Sequence, residues 1–152
     1  MKFKYLLAVS LLAVTLKAAV VDDLTLALND DGTYYLVDCR VSATGPLTIP
    51  SYYDGNAGFL PVTTINSDAF QNCNDLTSVV IPATVTLIGN GAFGLCTSLS
   101  NITIPEGVTH IGSAAFFGCS SLTSITIPES VTSIGANTFS GCLNLNEINL
   151  PY

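Results

Sequence analysis

Apolar positions along residues 62–152 recur with one fixed period, that of a 23-residue unit. Val62, Val85, Val108 and Val131 form one column, and Phe70, Phe93, Phe116 and Phe139 a second. Cys73, Cys96, Cys119 and Cys142 form a third, Leu76, Leu99, Leu122 and Leu145 a fourth, and Pro82, Pro105, Pro128 and Pro151 close each unit. Within a unit, Ile125 and Ile127 alternate with Ser124 and Thr126, which is strand period. Proline cannot donate to a ladder, so Pro128 ends that strand. The pattern predicts parallel strands at 76–81, 99–104, 122–127 and 145–150, one per repeat, in one sheet and in sequence order. Val131 and Ile134 turn inward ahead of Gly135. Gly89, Gly112 and Gly135, with Asn66 in the first unit, predict a tight turn at positive φ. Ala115-Phe116, with Cys119 three later, suits a short helical or 3₁₀ turn on the outer face.

The first part of the chain breaks this period. Leu24, Leu26 and Leu28 alternate with Thr25 and Ala27, Asn29-Asp30-Asp31-Gly32 signals a turn, and Thr33–Cys39 is β-prone. This predicts a β-hairpin capping the N-terminal end of the repeats. Leu47-Thr48-Ile49-Pro50 repeats the strand-and-proline ending, but the step from Pro50 to Pro82 is longer than the period. The excess is assigned to an entry loop within Ser51–Pro61, carrying Tyr52, Tyr53, Asp54, Gly55 and Phe59. Residues 1–18 have the form of a secretory leader: Lys2 and Lys4, the apolar run Tyr5–Leu16, then Ala18. That run is too short to span a membrane. The organisation is therefore a leader (1–18), an N-terminal β cap and entry loop (19–61), and four 23-residue repeats (62–152).

A strict period in this range marks a leucine-rich-repeat solenoid, here β-rich and of α/β class. The units Val62-Thr-Thr-Ile-Asn-Ser-Asp-Ala-Phe-Gln-Asn-Cys73 and Val108-Thr-His-Ile-Gly-Ser-Ala-Ala-Phe-Phe-Gly-Cys119, each followed by a Leu-x-x-Val/Ile-x-Ile-Pro strand, resemble BspA-like (Treponema-type) leucine-rich repeats. The segment Ile49-Pro-Ser-Tyr-Tyr-Asp-Gly55 shares the resemblance, which covers about 105 of the 152 residues. It implies a secreted or surface-attached protein that acts in adhesion or protein binding without catalysis. It carries over no binding residues, because that family shares a scaffold rather than a site.

Charge narrows the choice of partner. The full chain has a net charge of −7, with Lys2, Lys4 and Lys17 in or beside the leader. Without the leader, Arg40 alone stands against eleven acids, a net −10. Phosphate backbones need several cationic contacts, so nucleic acid is excluded and anionic membrane surfaces are disfavoured.

Candidate chemistry is thin. The four column cysteines share one repeat position, so their Cβ vectors run parallel; this favours a buried thiol ladder, with bridged neighbours as the alternative. Cys39 is the odd thiol. His110 occupies a column with Thr64, Leu87 and Ser133, which points to an exposed, variable position, and one such histidine builds no catalytic triad. Asp68, Asp75, Glu106, Glu129 and Glu147 are scattered; Glu106 and Glu129 share a column, a weak calcium arrangement beside the plainer reading of a solvated edge. Thr63, Thr86, Thr109 and Thr132 make an unbroken row of the sort that could bind ice, or simply an exposed β-like edge. Asn101-Ile102-Thr103 is a glycosylation sequon.

No enzyme, metal or cofactor is expected. The expected ligand surface is the concave strand face: Ser78, Val80, Asn101, Thr103, Ser124, Thr126, Glu147 and Asn149, flanked by Thr77, Ser100, Thr123 and Asn146, with Tyr52, Tyr53 and Phe59 on the loop. The expected partner is an extracellular protein or glycan. The alternative is a structural fragment of a longer repeat array without a ligand site. Ile148, Leu150 and Leu145 end the repeats without a polar cap, so self-association through that edge is also expected.

Overall fold

The structure is a computed structural model and describes residues 24–39, 43–55 and 58–150. The leader, Arg40 and Tyr152 lie outside the described residues. Among the described residues twelve strands follow one another: β1 (Leu24–Leu28), β2 (Tyr34–Cys39), β3 (Gly45–Thr48), β4 (Tyr52–Gly55), β5 (Gly58–Ile65) and β6 (Leu76–Val80). The rest are β7 (Leu87–Ile88), β8 (Asn101–Thr103), β9 (His110–Ile111), β10 (Ser124–Thr126), β11 (Ser133–Ile134) and β12 (Glu147–Asn149).

The expected parallel strands form, but not as one sheet. β3, β6 and β8 make a three-stranded parallel sheet, and β10 and β12 a separate parallel pair. β8 and β10 lie side by side in the stack without a continuous ladder.

A second parallel row went unforeseen. β5, β7, β9 and β11 pair in that order, with Ile65, Ile88, Ile111 and Ile134 in register. Each repeat thus contributes two short strands, one to each row. A two-residue strand is too short to give a readable period-2 signal.

The expected helical turn is also corrected: among the described residues the segments around Ala92-Phe93 and Ala115-Phe116 are turns. Two positive-φ columns bracket each one. Asp68 (φ 59), Gly91 (60), Ala114 (54) and Asn137 (58) form the first, and Asn72 (63), Leu95 (60), Gly118 (70) and Gly141 (78) the second. Left-handed residues four apart stop a right-handed helix from propagating.

The left-handed positions therefore are not the Gly89/Gly112/Gly135 column. Those glycines answer to space. A Cβ on Gly112 would lie 2.5 Å from the Asn90 backbone nitrogen, and one on Gly89 2.5 Å from that of Ser67. Asn66 starts the column beside hairpin strand β2 (Leu36 pairs Ile65), not beside another repeat, and so keeps its side chain.

β1 and β2 form the expected antiparallel hairpin, and β2 continues in parallel onto β5. The expected entry loop is instead a second antiparallel hairpin of β4 on β5, in which Tyr52 faces Pro61 and Asp54 faces Phe59. Here proline lies inside a strand; the β-prone run Phe59-Leu60 and the Asp54-Gly55 turn signal were the missed cues.

The core runs along the whole stack. Phe70, Phe93 and Phe116 are fully buried, and successive rings from Phe70 to Phe139 are parallel with centroids 4.8, 5.3 and 5.7 Å apart.

Candidate functional site

Alternation in the first row fixes what faces out. Val79, Ile102 and Ile125 are buried, and their neighbours point away from the core. Register aligns Pro46, Ser78 and Asn101 in one line and Thr48, Val80 and Thr103 in the next. Ser124 with Glu147, and Thr126 with Asn149, follow the same pattern in the last two strands. Seven of the eight expected residues are exposed, while Ser78 is half-buried. Thr48 was missed: the Leu47–Pro50 strand was legible, but its place beside β6 is a tertiary fact.

Val80 is the one large apolar group on this face and is 56% exposed. Glu147 brings one carboxylate on β12, and the other six of the eight are small hydroxyls and amides. The flanking hydroxyls are partly committed to stacking: Ser100 donates its N–H and its Oγ to the Thr77 carbonyl at 3.0 and 3.2 Å.

The β4–β5 hairpin leaves β3 four residues after Thr48 and carries two exposed aromatics, Tyr52 at 55% and Phe59 at 64%. Tyr52, Asp54 and Phe59 share one side of the hairpin by register. Tyr53 does not join them. It lies half-buried against the core, edge-on to Tyr34 at 5.1 Å, and anchors the hairpin.

The remaining candidates resolve into structural roles or solvated positions. The threonine row bonds to itself: Thr86, Thr109 and Thr132 each donate both N–H and Oγ1 to the carbonyl of the preceding threonine. Those hydroxyl protons are held within the stack. The row opens at Thr63, whose Oγ1 donates to Thr33 at 3.0 Å, while Thr33 donates to Asp31 at 2.6 Å. These Thr33 contacts lower the Asp31 carboxyl below its ordinary value. A shallow, open depression lies here, lined by Asn29, Asp30, Asp31, Thr63, Thr64 and Thr86.

The thiols of Cys96, Cys119 and Cys142 donate to the carbonyls of Phe70, Phe93 and Phe116 at 3.0–3.1 Å. Cys73 is fully buried at the head of the column. Burial, then neighbouring thiols, pushes Cys96 up strongly; burial and Cys142 push Cys119 up to about 12.

His110 is exposed on β9, its Nδ1 2.8 Å from Thr109 Oγ1. Asp68, Asp75, Glu106, Glu129 and Glu147 are all exposed. Among the described residues no three His, Cys, Asp or Glu side chains group to hold a metal. No helix there is long and apolar enough to cross a membrane.

Residues 63–152 match the model of the BspA type leucine rich repeat region (6 copies). The chain belongs to this leucine-rich-repeat family. Solved structures agree with that membership. A leucine-rich repeat protein from Bacteroides capillosus is 33% identical with a TM-score of 0.77, the match covering 86% of this chain and 95% of that one. A leucine rich cell surface protein from Faecalibacterium prausnitzii is also 33% identical with a TM-score of 0.64, over 93% of this chain but only 43% of its own. The T. pallidum leucine rich repeat protein, at 24% identity and a TM-score of 0.65, shares the fold over 88% of this chain and 82% of that one. No curated protein sequence matches the chain.

Proposed function

We propose that the chain is a secreted or surface-displayed, non-catalytic module that binds an extracellular protein or glycan. Its binding face is the exposed side of β3, β6, β8, β10 and β12, and the Tyr52–Phe59 hairpin supplies the aromatic anchors. Residues 1–18 act as the export leader and residues 19–61 as the section that closes one end. The observation that carries this reading is the alignment of small, mostly uncharged, outward groups in register across neighbouring strands beside two exposed rings. A relative described as a cell surface protein supports the location. Aromatic rings on a held hairpin provide contact area at low entropy cost, and Ser, Thr and Asn adapt their hydrogen bonds to a partner.

The test is a panel of extracellular matrix proteins and neutral glycans presented to the immobilised chain. Binding should fall at least tenfold in Tyr52→Ala/Phe59→Ala and in Val80→Asp, and persist in Leu95→Asp on the turn side. Binding lost only in Leu95→Asp would move the site to the other face and defeat the proposal.

A further inference from the structure

The β4–β5 hairpin has two unlike faces. By register Tyr53 lies opposite Leu60 and Asp54 opposite Phe59. Side chains alternate across a strand, so Tyr53 and Leu60 share one face, and Tyr52, Asp54 and Phe59 share the other. The first face packs on the core, with Tyr53 edge-on to Tyr34. The base of the hairpin is tied as well: the Ser51 carbonyl accepts from the Val62 N–H at 2.9 Å and from Thr84 Oγ1 at 3.2 Å. The ribbon is therefore fixed, and its second face is held out to solvent with Tyr52, Asp54 and Phe59 all exposed.

Three properties of that face select a ligand. Spacing is the first. Phe59 lies directly across from Asp54, and Tyr52 is its diagonal neighbour, which sets the bases of the two aromatic side chains roughly 7 Å apart. Strand side chains stand away from the sheet, and among the described residues neither ring stacks on another. A flat group touching a ring on each side needs about 3.5 Å per side, about 7 Å in all. The gap admits one flat group.

Charge is the second. Asp54 sets a carboxylate beside the gap, and no Lys or Arg follows Arg40 in a chain of net charge −7. Such a face attracts cations and repels sulfated or carboxylated groups. Hydrogen-bond polarity is the third. An ionised carboxylate only accepts, and aromatic faces are negative, so the complement is a donor that is also a cation. A guanidinium is flat, cationic and donor-only, and it stacks on rings while pairing a carboxylate. An ammonium is a compact point charge that does not fill a flat gap. A neutral sugar stacks on a ring but leaves the Asp54 charge unbalanced.

We propose that the Tyr52–Asp54–Phe59 face takes an arginine side chain from an exposed segment of a partner protein. The guanidinium lies between the two rings and donates to the Asp54 carboxylate. The inference rests on the reading of this hairpin as part of the binding surface and narrows the partner to a basic protein segment.

The test is an NMR titration of the isotope-labelled full chain with a short blocked Gly-Ser peptide carrying one arginine. Matched peptides carry lysine or citrulline, the neutral flat isostere, and a neutral oligosaccharide is titrated alongside. The arginine peptide should shift Tyr52, Asp54 and Phe59 saturably below about 10 mM. Lysine and citrulline should bind about fivefold more weakly or worse, as should the arginine peptide to Asp54→Asn and to Phe59→Ala. Glu129→Gln, which removes an exposed carboxylate elsewhere, should bind as the parent does. Binding should also weaken as salt rises from about 0.05 to 0.5 M. The dispersion of each variant's spectrum reports that it is folded.

No shift at these residues overturns the inference, as does citrulline binding equal to arginine or binding indifferent to Asp54→Asn. A neutral oligosaccharide that shifts the three residues more strongly than the arginine peptide overturns it too. The two readings fail separately. A matrix protein or glycan that needs Tyr52 and Phe59 but ignores Asp54→Asn leaves the binding reading standing and removes this one. Arginine-dependent shifts at the hairpin, with no member of the matrix panel bound, do the reverse.

Discussion

At the Phe column the rings stack parallel from Phe70 to Phe139, so Phe93 and Phe116 are each packed by the rings of the units before and after. Phe116 is fully buried between Phe93 and Phe139, and Phe116→Ala should cost about 3–5 kcal/mol by opening a cavity, measurable by chemical denaturation. The thiols below the rings give a second expectation. Cys119 is held at about 12 by burial, first, and by Cys142, against an ordinary 9.0. A raised folded value means that the native state keeps a proton the unfolded chain releases. The stabilisation is whole below pH 9 and is lost as pH climbs toward 12, and the raised Cys96 adds to it in the same direction. Unfolding midpoints should therefore fall steadily above pH 9. Over the same range thiol reagents should label Cys96 and Cys119 slowly until the protein unfolds, because the thiolate is the reactive form. Rapid native labelling at neutral pH would show that the column opens.

Among the local elements, the turns between the two strand rows are the most exacting. Gly112 cannot accept a Cβ without moving the Asn90 backbone. Gly112→Ala should therefore destabilise strongly, by about 2 kcal/mol or more. Two residues on, Ala114 sits at φ 54 in a column otherwise held by Asp68, Gly91 and Asn137. An L-alanine pays about 1–2 kcal/mol in that conformation. Ala114→Gly should relieve it, less about 0.4–1 kcal/mol from the looser unfolded chain, for a small net gain in stability. The opposite signs of two changes so close in sequence would be read by differential scanning calorimetry. Equal destabilisation would mean that the turn tolerates alanine at both places.

Over the whole molecule, the units are joined by repeated bonds that each carry a chemical column. Backbone N–H groups of Thr86, Thr109 and Thr132 reach the preceding threonine carbonyls on one side, and those of Ser100 and Asn146 reach Thr77 and Thr123 on the other. The exposed strand face built on this frame is narrow. Monomeric binding to any partner should be micromolar or weaker, and biosensor titrations should show steeper apparent affinity where the chain is presented in pairs. Nanomolar affinity in a strictly monomeric preparation would contradict the area argument.

The 23-residue period, the buried phenylalanine and cysteine columns, the first strand row and the N-terminal hairpin were all legible in the sequence. Each rests on a regular spacing of side chains that burial selects directly. The residues of the candidate face were legible for the same reason, since outward positions are what remain once Val79, Ile102 and Ile125 turn in. What the sequence left open lay in contacts between units. The second strand row consists of two-residue strands whose pairing comes only from the units above and below. The Gly89 and Gly112 positions are set by the backbone of the preceding unit, a full repeat earlier in sequence. Tyr53 turns in toward Tyr34 while Tyr52 turns out, because the entry segment pairs with β5 as a strand. Periodicity reports which side of a unit is buried; only the stacked structure decides which backbone lies against it.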